Sequence, residues 1–180
     1  MKKLGFLLIG LLLVVSVFAQ NKVKVSGVKE ESSITYAMNH PLHAWTGESK
    51  EVNSIILTDD ARSTIYQVAV SAKISTFDSK NANRDSHTME VTEALKFPSV
   101  TYVSTSVTIQ GGDFKSDGTM TFHGISQPVT VQGKLTKEGT KLTFTGEFKL
   151  KMTQFKIDPP SLMGISTDDE FKLSFKVVYQ

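Results

Sequence analysis

Cysteine is absent from this sequence of 180 residues. Without it no disulfide can form, so the stability of the folded chain has to come from side-chain packing, which a single domain of this length can supply. The absence also excludes a lipid-modified bacterial lipoprotein, because its acyl anchor needs a cysteine directly after the signal segment.

An excess of one charge is missing too. The formal net charge of +2 arises because Lys2 and Lys3 stand in an N-terminal segment without acids, and the rest of the chain holds equal numbers of basic and acidic residues. No run of basic residues interrupts that balance. A surface that follows the phosphates of nucleic acid is therefore not expected.

A long apolar run occurs only at the N-terminus. A positively charged start precedes the apolar segment Leu4–Phe18. Val17 and Ala19 occupy the −3 and −1 positions of a signal-peptide cleavage site, where small residues are typical. Leu4–Ala19 is sixteen residues long, whereas a transmembrane helix needs about 20. We therefore predict a cleaved signal peptide over residues 1–19, a periplasmic or secreted location, and no stable membrane insertion.

Apolar and polar residues alternate through the rest of the sequence, which is the pattern of strands with one buried and one wet face. In Thr64–Ile74, for example, every second residue from Tyr66 onward is apolar. Nine such segments are expected, of which the second and third can merge: Ser32–Met38, Trp45–Ser49, Asn53–Thr58, Thr64–Ile74, Val100–Ile109, Thr119–His123, Pro128–Thr136, Lys141–Met152 and Glu170–Tyr179. Long amphipathic strands without intervening helices predict an all-β antiparallel barrel or sandwich of about eight strands.

Two stretches break the alternation. Asn81–Phe97 has helical spacing, with Asn83 as a candidate N-cap, and it predicts one or two short helices over an end of the barrel. Gln154–Asp168 contains Pro159-Pro160 and Gly164, which predict a long loop.

Several motifs occur in a fixed order along the chain. They are His40 with Trp45 and Gly47, then Ser75–Ser79 with Asn83–His87, then Lys96–Tyr102, and then Gly118–Val129. Together they resemble the YceI-like family of exported lipid-binding proteins, with its Arg-Asp-x-His helix start, its aromatic-Pro step into a strand and its "G-x-L-T-x-H-G-x-x-x-P-V" hairpin. The resemblance covers nearly all of residues 20–180. It weakens at Gln154–Ile157, where many members have an aromatic-Gly-Ile or Phe-Gly motif.

The resemblance implies one domain over residues 20–180, an eight-stranded antiparallel, lipocalin-like barrel whose interior holds a long isoprenoid-type chain. A barrel of this size is wide enough either to be filled by side chains or to hold one small ligand. Burial of hydrocarbon gains about 0.8 kcal/mol per CH₂, and association costs about 4–15 kcal/mol. A chain of about twenty carbons, which gains ~16 kcal/mol, is therefore favoured over a short ligand.

The large side chains of the apolar stripes are the candidate lining of such a cavity. They are Trp45, Tyr66, Val68, Val70, Tyr102, Phe122, Phe144, Phe148 and Phe175. Ordinary core packing would explain the same residues equally well.

Arg84, Asp85 and His87 are the residues that most resemble a polar site. At the mouth of a cavity, Arg84 could hold a lipid head group through charge-assisted hydrogen bonds. The alternative, which we favour, is structural: Asp85 and Asn83 cap a helix, and Arg84 ties that helix to a neighbouring strand.

The four histidines predict no metal site. His40 and His43 are three residues apart, and strand residues at that spacing do not share a face. No acidic ligand stands at a familiar metal-binding distance from them along the sequence. We expect the histidines to form local hydrogen bonds in turns.

Catalysis is not expected, because no serine stands in a nucleophile elbow and no carboxylate pair is apparent. We predict a non-enzymatic carrier of a long isoprenoid or acyl lipid that uses no cofactor. An extracytoplasmic interaction or structural module with a filled barrel stays open as an alternative, and a hydrolase is less favoured. An empty apolar tunnel would favour the carrier, and a packed interior would favour the module. The sequence leaves a monomer and a homodimer open.

Overall fold

The computed structural model describes residues 21–162 and 164–180 of the chain. The predicted signal peptide, residues 1–19, lies outside the described residues. Within the described ranges, no helix combines the length and the apolar character that crossing a bilayer requires.

Strands make up most of the described structure. They are β1 (Val23–Ser26), β2 (Ser33–His40), β3 (His43–Ser49), β4 (Val52–Thr58), β5 (Ile65–Lys73), β6 (Ser99–Gln110), β7 (Asp113–Phe122), β8 (Ile125–Glu138), β9 (Lys141–Lys151), β10 (Ser161–Leu162), β11 (Ile165–Ser166) and β12 (Glu170–Tyr179). One α-helix, α1 (Ala82–Val91), follows β5, and short 3₁₀ helices lie at Lys29–Glu31, Ile74–Thr76 and Met152–Phe155. The predicted long loop Gln154–Asp168 therefore contains the end of a 3₁₀ helix and the small β10–β11 hairpin.

Ten of these strands form one antiparallel sheet, in the order β1-β4-β5-β6-β7-β8-β9-β12-β2-β3. Along the chain β1 continues into β2 and β3 continues into β4, so the two ends of this order belong to one long, interrupted hairpin. The sheet thereby closes into a barrel of eight long strands. The predicted antiparallel barrel is confirmed, with ten segments instead of eight because two of its strands are broken.

The closure of the barrel depends on Gly27, directly after β1. Its amide donates to the carbonyl of Ser54 at 2.8 Å, and the next amide, of Val28, donates to the carbonyl of Val178 at 2.8 Å. The chain thus exchanges β4 for β12 as its partner within one residue. A Cβ atom at Gly27 would overlap the Ser54 side chain, so glycine permits the close approach that this exchange needs.

The N-cap of helix α1 lies two residues before the predicted one. Asn81 is the N-cap, and its side-chain oxygen accepts the amide of Arg84 at 3.1 Å. Asn83 is the second helical residue instead. Both asparagines suit a cap by residue type, but Asp85 accepts the amide of Ser79 at 3.1 Å and thereby fixes the chain just before Asn81.

The alternation predicted for Thr64–Ile74 is interrupted near its start. The pairing of β4 with β5 shifts by one residue between Leu57 and Thr58, which creates a β-bulge at Tyr66. Ile65 is therefore the buried residue there, with 4% of its surface exposed. Tyr66 does not belong to the interior wall that Val68 and Val70 help to form, because a bulge changes which residues point inward.

Candidate functional site

Two cavities meet inside the barrel. The inner chamber has a volume of about 110 Å³, and the outer chamber has a volume of about 460 Å³. Four residues line both chambers and form the boundary between them, which we call the neck: Phe77, Val100, Met120 and Leu173. The outer chamber alone falls within the range of ~300–1,000 Å³ that is typical of ligand pockets.

Strand residues build the inner chamber. Besides the neck, its wall consists of Ile34, Val68, Val70, Ala72, Thr101, Tyr102, Val107, Phe114, Ser116, Val131, Phe144, Phe148, Phe175, Val177 and Tyr179. Phe144 packs edge-on against Phe114 and Tyr179, with ring centroids 5.1 and 5.9 Å apart. Such T-shaped pairs stabilise beyond the area that they bury, so the aromatic wall supports itself around an open centre.

The hydroxyl groups in the inner wall are turned to the protein. Tyr102 donates to the carbonyl of Ser116 at 3.0 Å and lies 2.8 Å from the Ser116 hydroxyl. Tyr179 is 1% exposed, and this burial raises its pKa to about 12. Both tyrosines therefore stay neutral at physiological pH, and the inner chamber offers its occupant an uncharged, mainly apolar surface.

The outer chamber combines the barrel end with α1 and the segments after β9. Its polar wall residues are His40, His43, Asn81, Asn83, Arg84, His87, Thr88, Thr92, Ser161 and Thr167. Its other residues, besides the neck, are Tyr36, Met38, Trp45, Ile74, Val91, Phe122, Leu150, Met152, Ile157, Pro160 and Phe171. Unlike the inner chamber, it can bind the apolar and the polar part of one molecule.

Arg84 projects from α1 into the outer wall. Its guanidinium carbon lies 5.2 Å from the centre of the Trp45 ring, and its Nη1 donates to the carbonyl of Ser79 at 3.4 Å. His87 lines the same chamber, whereas Asp85 does not. The structure thus separates the three residues of the predicted polar group: Asp85 fixes the start of the helix, and the other two face the cavity.

Buried His40 joins two hairpins beside the outer chamber. The amide of Leu42 donates to its Nδ1 at 3.2 Å, and its Nε2 lies 3.0 Å from the carbonyl of Ile165. Because a carbonyl can only accept, the proton of this imidazole is on Nε2. The first bond is the local turn contact that the sequence predicts, and the second holds the β10–β11 hairpin to the end of β2.

His123 joins three further segments. It occupies the β7–β8 turn with a φ of 51°, and its ring nitrogens lie 2.9 Å from the carbonyl of Phe155 and 2.8 Å from the carboxylate of Glu93. Its ring packs edge-on against Phe97 at 5.0 Å. Across the described part of the chain, no three potential metal ligands of the His, Cys, Asp and Glu types lie together.

Eight of the nine residues predicted to line a cavity lie in a chamber wall. Six are in the inner chamber: Val68, Val70, Tyr102, Phe144, Phe148 and Phe175. Trp45 and Phe122 are in the outer chamber. Tyr66 lies in neither wall, and the Nζ of Lys22 stands 4.8 Å from its ring centre. Contact of the eight with a ligand stays a prediction.

Much of the outer wall was not predicted from the sequence. Tyr36 and Met38 alternate with smaller residues along β2, so their period-two stripe could have marked them. Ile157 and Pro160 come from the segment predicted as loop and carry no local pattern that indicates burial. They reach the wall only because Met152–Phe155 and the β10–β11 hairpin fold back over the barrel end.

Comparison with known proteins identifies a matching family and similar proteins. The model of the YceI-like domain matches residues 27–179. Protein YceI of Salmonella newport (strain SL254) is 28% identical over 168 residues, which cover 87% of this chain and 88% of that protein.

Solved structures agree in fold. Burkholderia cenocepacia BcnA superposes with a TM-score of 0.76 at 18% identity, over 86% of this chain and 99% of that one. A polyisoprenoid binding domain from Saccharophagus degradans, implicated in plant cell wall breakdown, gives a TM-score of 0.69 at 11% identity, over 87% and 98% of the two chains. With the barrel, its motifs and a family match that spans nearly the whole described chain, this protein belongs to the YceI-like domain family.

Proposed function

We propose that this protein carries a long apolar lipid, with the hydrocarbon chain in the inner chamber and the neck and the polar end in the outer chamber. The observation that carries the proposal is the pair of adjoining cavities, which share four wall residues and have mainly apolar walls. A filled barrel would have no such space. The polyisoprenoid named for the Saccharophagus domain makes an isoprenoid chain the first candidate, and an acyl chain is the second.

The walls suit binding better than chemistry. The inner surface is apolar, and the hydroxyl of Tyr102 is engaged by Ser116. Each CH₂ group buried there gains about 0.8 kcal/mol, so retention grows with chain length until the cost of association is exceeded. We infer a binding protein and not an enzyme.

We also propose that the chain is exported and loses residues 1–19 on the way. The short apolar run and the Val17-x-Ala19 site support this. N-terminal sequencing of protein from the producing cells should begin at Gln20, in the periplasm or the medium. Retention of Met1 in a membrane fraction would contradict export.

Substitution of Val70 by Trp tests the carrier. Val70 faces the inner chamber, so the added bulk should occupy lipid space and abolish the lipid that organic extraction and mass spectrometry recover with the wild-type protein. The matched control is Val103→Trp on β6, where the side chain is 43% exposed.

Stability distinguishes the carrier from a filled barrel. In a solid core, Val70→Trp would cost about 1–3 kcal/mol, whereas an open chamber accepts the ring at little cost. Melting temperatures have to be compared on delipidated protein, because bound lipid itself stabilises the fold. A large drop in melting temperature together with no lipid in the wild-type extract would favour the filled module.

A further inference from the structure

We propose that the polar end of the cargo is an anion, a carboxylate or a phosphate monoester, and that Arg84 binds it in the outer chamber. The inference rests on the proposed lipid-carrying function and adds the chemical class of the head group.

The charge of the outer wall is of one sign. Its described residues include one arginine, Arg84, and no aspartate, glutamate or lysine; His87 in the same wall lies 3.5 Å from the carboxylate of Glu90. This contrasts with the rest of the described surface, where lysines and acids form salt bridges such as Lys141–Glu31 and Lys149–Glu170. A cavity with a fixed cation and no acid favours a negative occupant.

Arg84 is the fixed cation, and its charge is not neutralised within the described ranges. Its contacts there are the Trp45 ring and one long hydrogen bond to the Ser79 carbonyl. Asp85, the next residue, is turned toward the amide of Ser79 instead. The stacked position holds the guanidinium in place at the wall, which reduces the entropy lost when it binds a ligand.

A second donor lies in the same wall. The hydroxyl of Tyr36 is buried and has no hydrogen-bond partner among the described residues. Burial raises the pKa of Tyr36, so this hydroxyl keeps its proton and can donate it. Tyr36 therefore adds no negative charge to the wall that contains Arg84.

Binding of a lipid increases the energetic cost of leaving the charge of Arg84 without a counter-charge. The incoming chain displaces water from the outer chamber, and a cation that loses water without gaining a counter-charge is destabilised. A neutral head, such as an alcohol, an amide or a quinone, leaves that cost in place. An anion removes it and gains charge-assisted hydrogen bonds.

The test compares ligands that share a chain and differ in their head. Delipidated wild-type protein is titrated calorimetrically with farnesyl phosphate and farnesol, with palmitate and palmityl alcohol, and with inorganic phosphate. We expect each anionic lipid to bind about tenfold more tightly than its alcohol. We expect no detectable binding of inorganic phosphate, because the chain supplies most of the affinity.

The variants assign this preference to one side chain. Arg84→Met should bring the anionic lipids to the affinity of their alcohols and leave the alcohols unchanged, which also shows that the chamber is intact. Arg84→Lys should keep part of the preference. The control is Arg62→Met, because Arg62 lies in the β4–β5 turn, donates to the carbonyl of Thr140 and stands at the other end of β5 from α1.

The outcomes separate the two proposals. Equal affinity of acid and alcohol in the wild type would overturn the anionic head and leave the lipid carrier standing. A preference that survives Arg84→Met would overturn the role of Arg84. Failure of all four chain ligands to bind, together with no lipid in the organic extract of the wild-type protein, would overturn the carrier itself. Tight binding of inorganic phosphate would show a site for free anions and overturn the lipid head group.

Discussion

The inner and outer chambers share a neck but are built from different parts of the chain. Strands supply the inner wall almost completely, and its residues are apolar or have their hydroxyls turned to the protein. The outer wall adds α1, the 3₁₀ helix Met152–Phe155 and the β10–β11 hairpin to the strand ends, and it contains the guanidinium of Arg84. We propose from this comparison that the barrel selects for the length of the lipid chain and that the added segments select for the head group.

The two chambers should also differ in what they contribute to stability. Phe144→Ala, in the inner wall, should lower the free energy of unfolding by about 3–5 kcal/mol, the cost of removing a buried aromatic ring. Phe144 is 5% exposed and packs against two other rings.

Phe122→Ala is the matched change in the outer wall. Phe122 is only partly buried and contacts the Phe155 ring at 5.5 Å between centroids, so we expect a loss of no more than about 2 kcal/mol. Urea denaturation of the delipidated variants measures both values. Equal losses would mean that the two chambers form one continuous core.

The strand pattern predicted the inner chamber well because the pleat fixes which residues share a face. It failed at Tyr66, where a bulge inserts one residue and reverses the faces, and nothing in the Thr64–Ile74 alternation signals that insertion. The outer chamber was predicted poorly for a different reason. Ile157 and Pro160 become wall residues through tertiary contacts. The local alternation of apolar and polar residues does not indicate such contacts.

The polar residues show the same limit. The sequence offered two roles for Arg84 and Asp85 together, and the structure places their two side chains differently. The choice depends on Ser79, which binds Asp85 through its amide and Arg84 through its carbonyl. Every residue has a backbone carbonyl, and nearly every residue has an amide, so residue types do not predict which side chain a given backbone group will bind. The residues at the start of the helix therefore could not assign different contacts to Arg84 and Asp85.

Blocking the neck should separate chain selection from head selection. Val100 lines both chambers, so Val100→Trp should close the passage and lower the affinity for oleate by about a hundredfold, or about 2.8 kcal/mol. That loss corresponds to the exclusion of three or four CH₂ groups at about 0.8 kcal/mol each. The affinity for laurate, whose shorter chain reaches less far, should fall less.

The control for this change lies three residues further along the same strand. Val103→Trp places the same bulk on an exposed position and should leave both affinities unchanged. Calorimetric titration gives the two dissociation constants for each variant. An equal fall for laurate and oleate in Val100→Trp would show that the chambers do not act in series.

The smallest expected effect concerns Tyr179 in the wall of the inner chamber, and it appears only at alkaline pH. Burial raises the pKa of Tyr179 from the ordinary value of 10.0 to about 12. The folded state therefore holds this proton more tightly than the unfolded state, so the stabilisation is complete below pH 10 and is lost as the pH rises through 12. At pH 11 the unfolded tyrosine is mostly ionised and the folded one is not, which costs the wild type about 1.4 kcal/mol.

Tyr179→Phe removes this titration but keeps the ring that packs against Phe144. Between pH 9 and pH 11 the wild type should therefore lose about 1.4 kcal/mol more unfolding free energy than the variant. Urea denaturation at the two pH values measures the difference, and the tyrosinate absorbance of the folded proteins shows whether one late ionisation disappears with the substitution. Parallel losses in both proteins would mean that the hydroxyl of Tyr179 reaches water, and the inner chamber would then be open at this end.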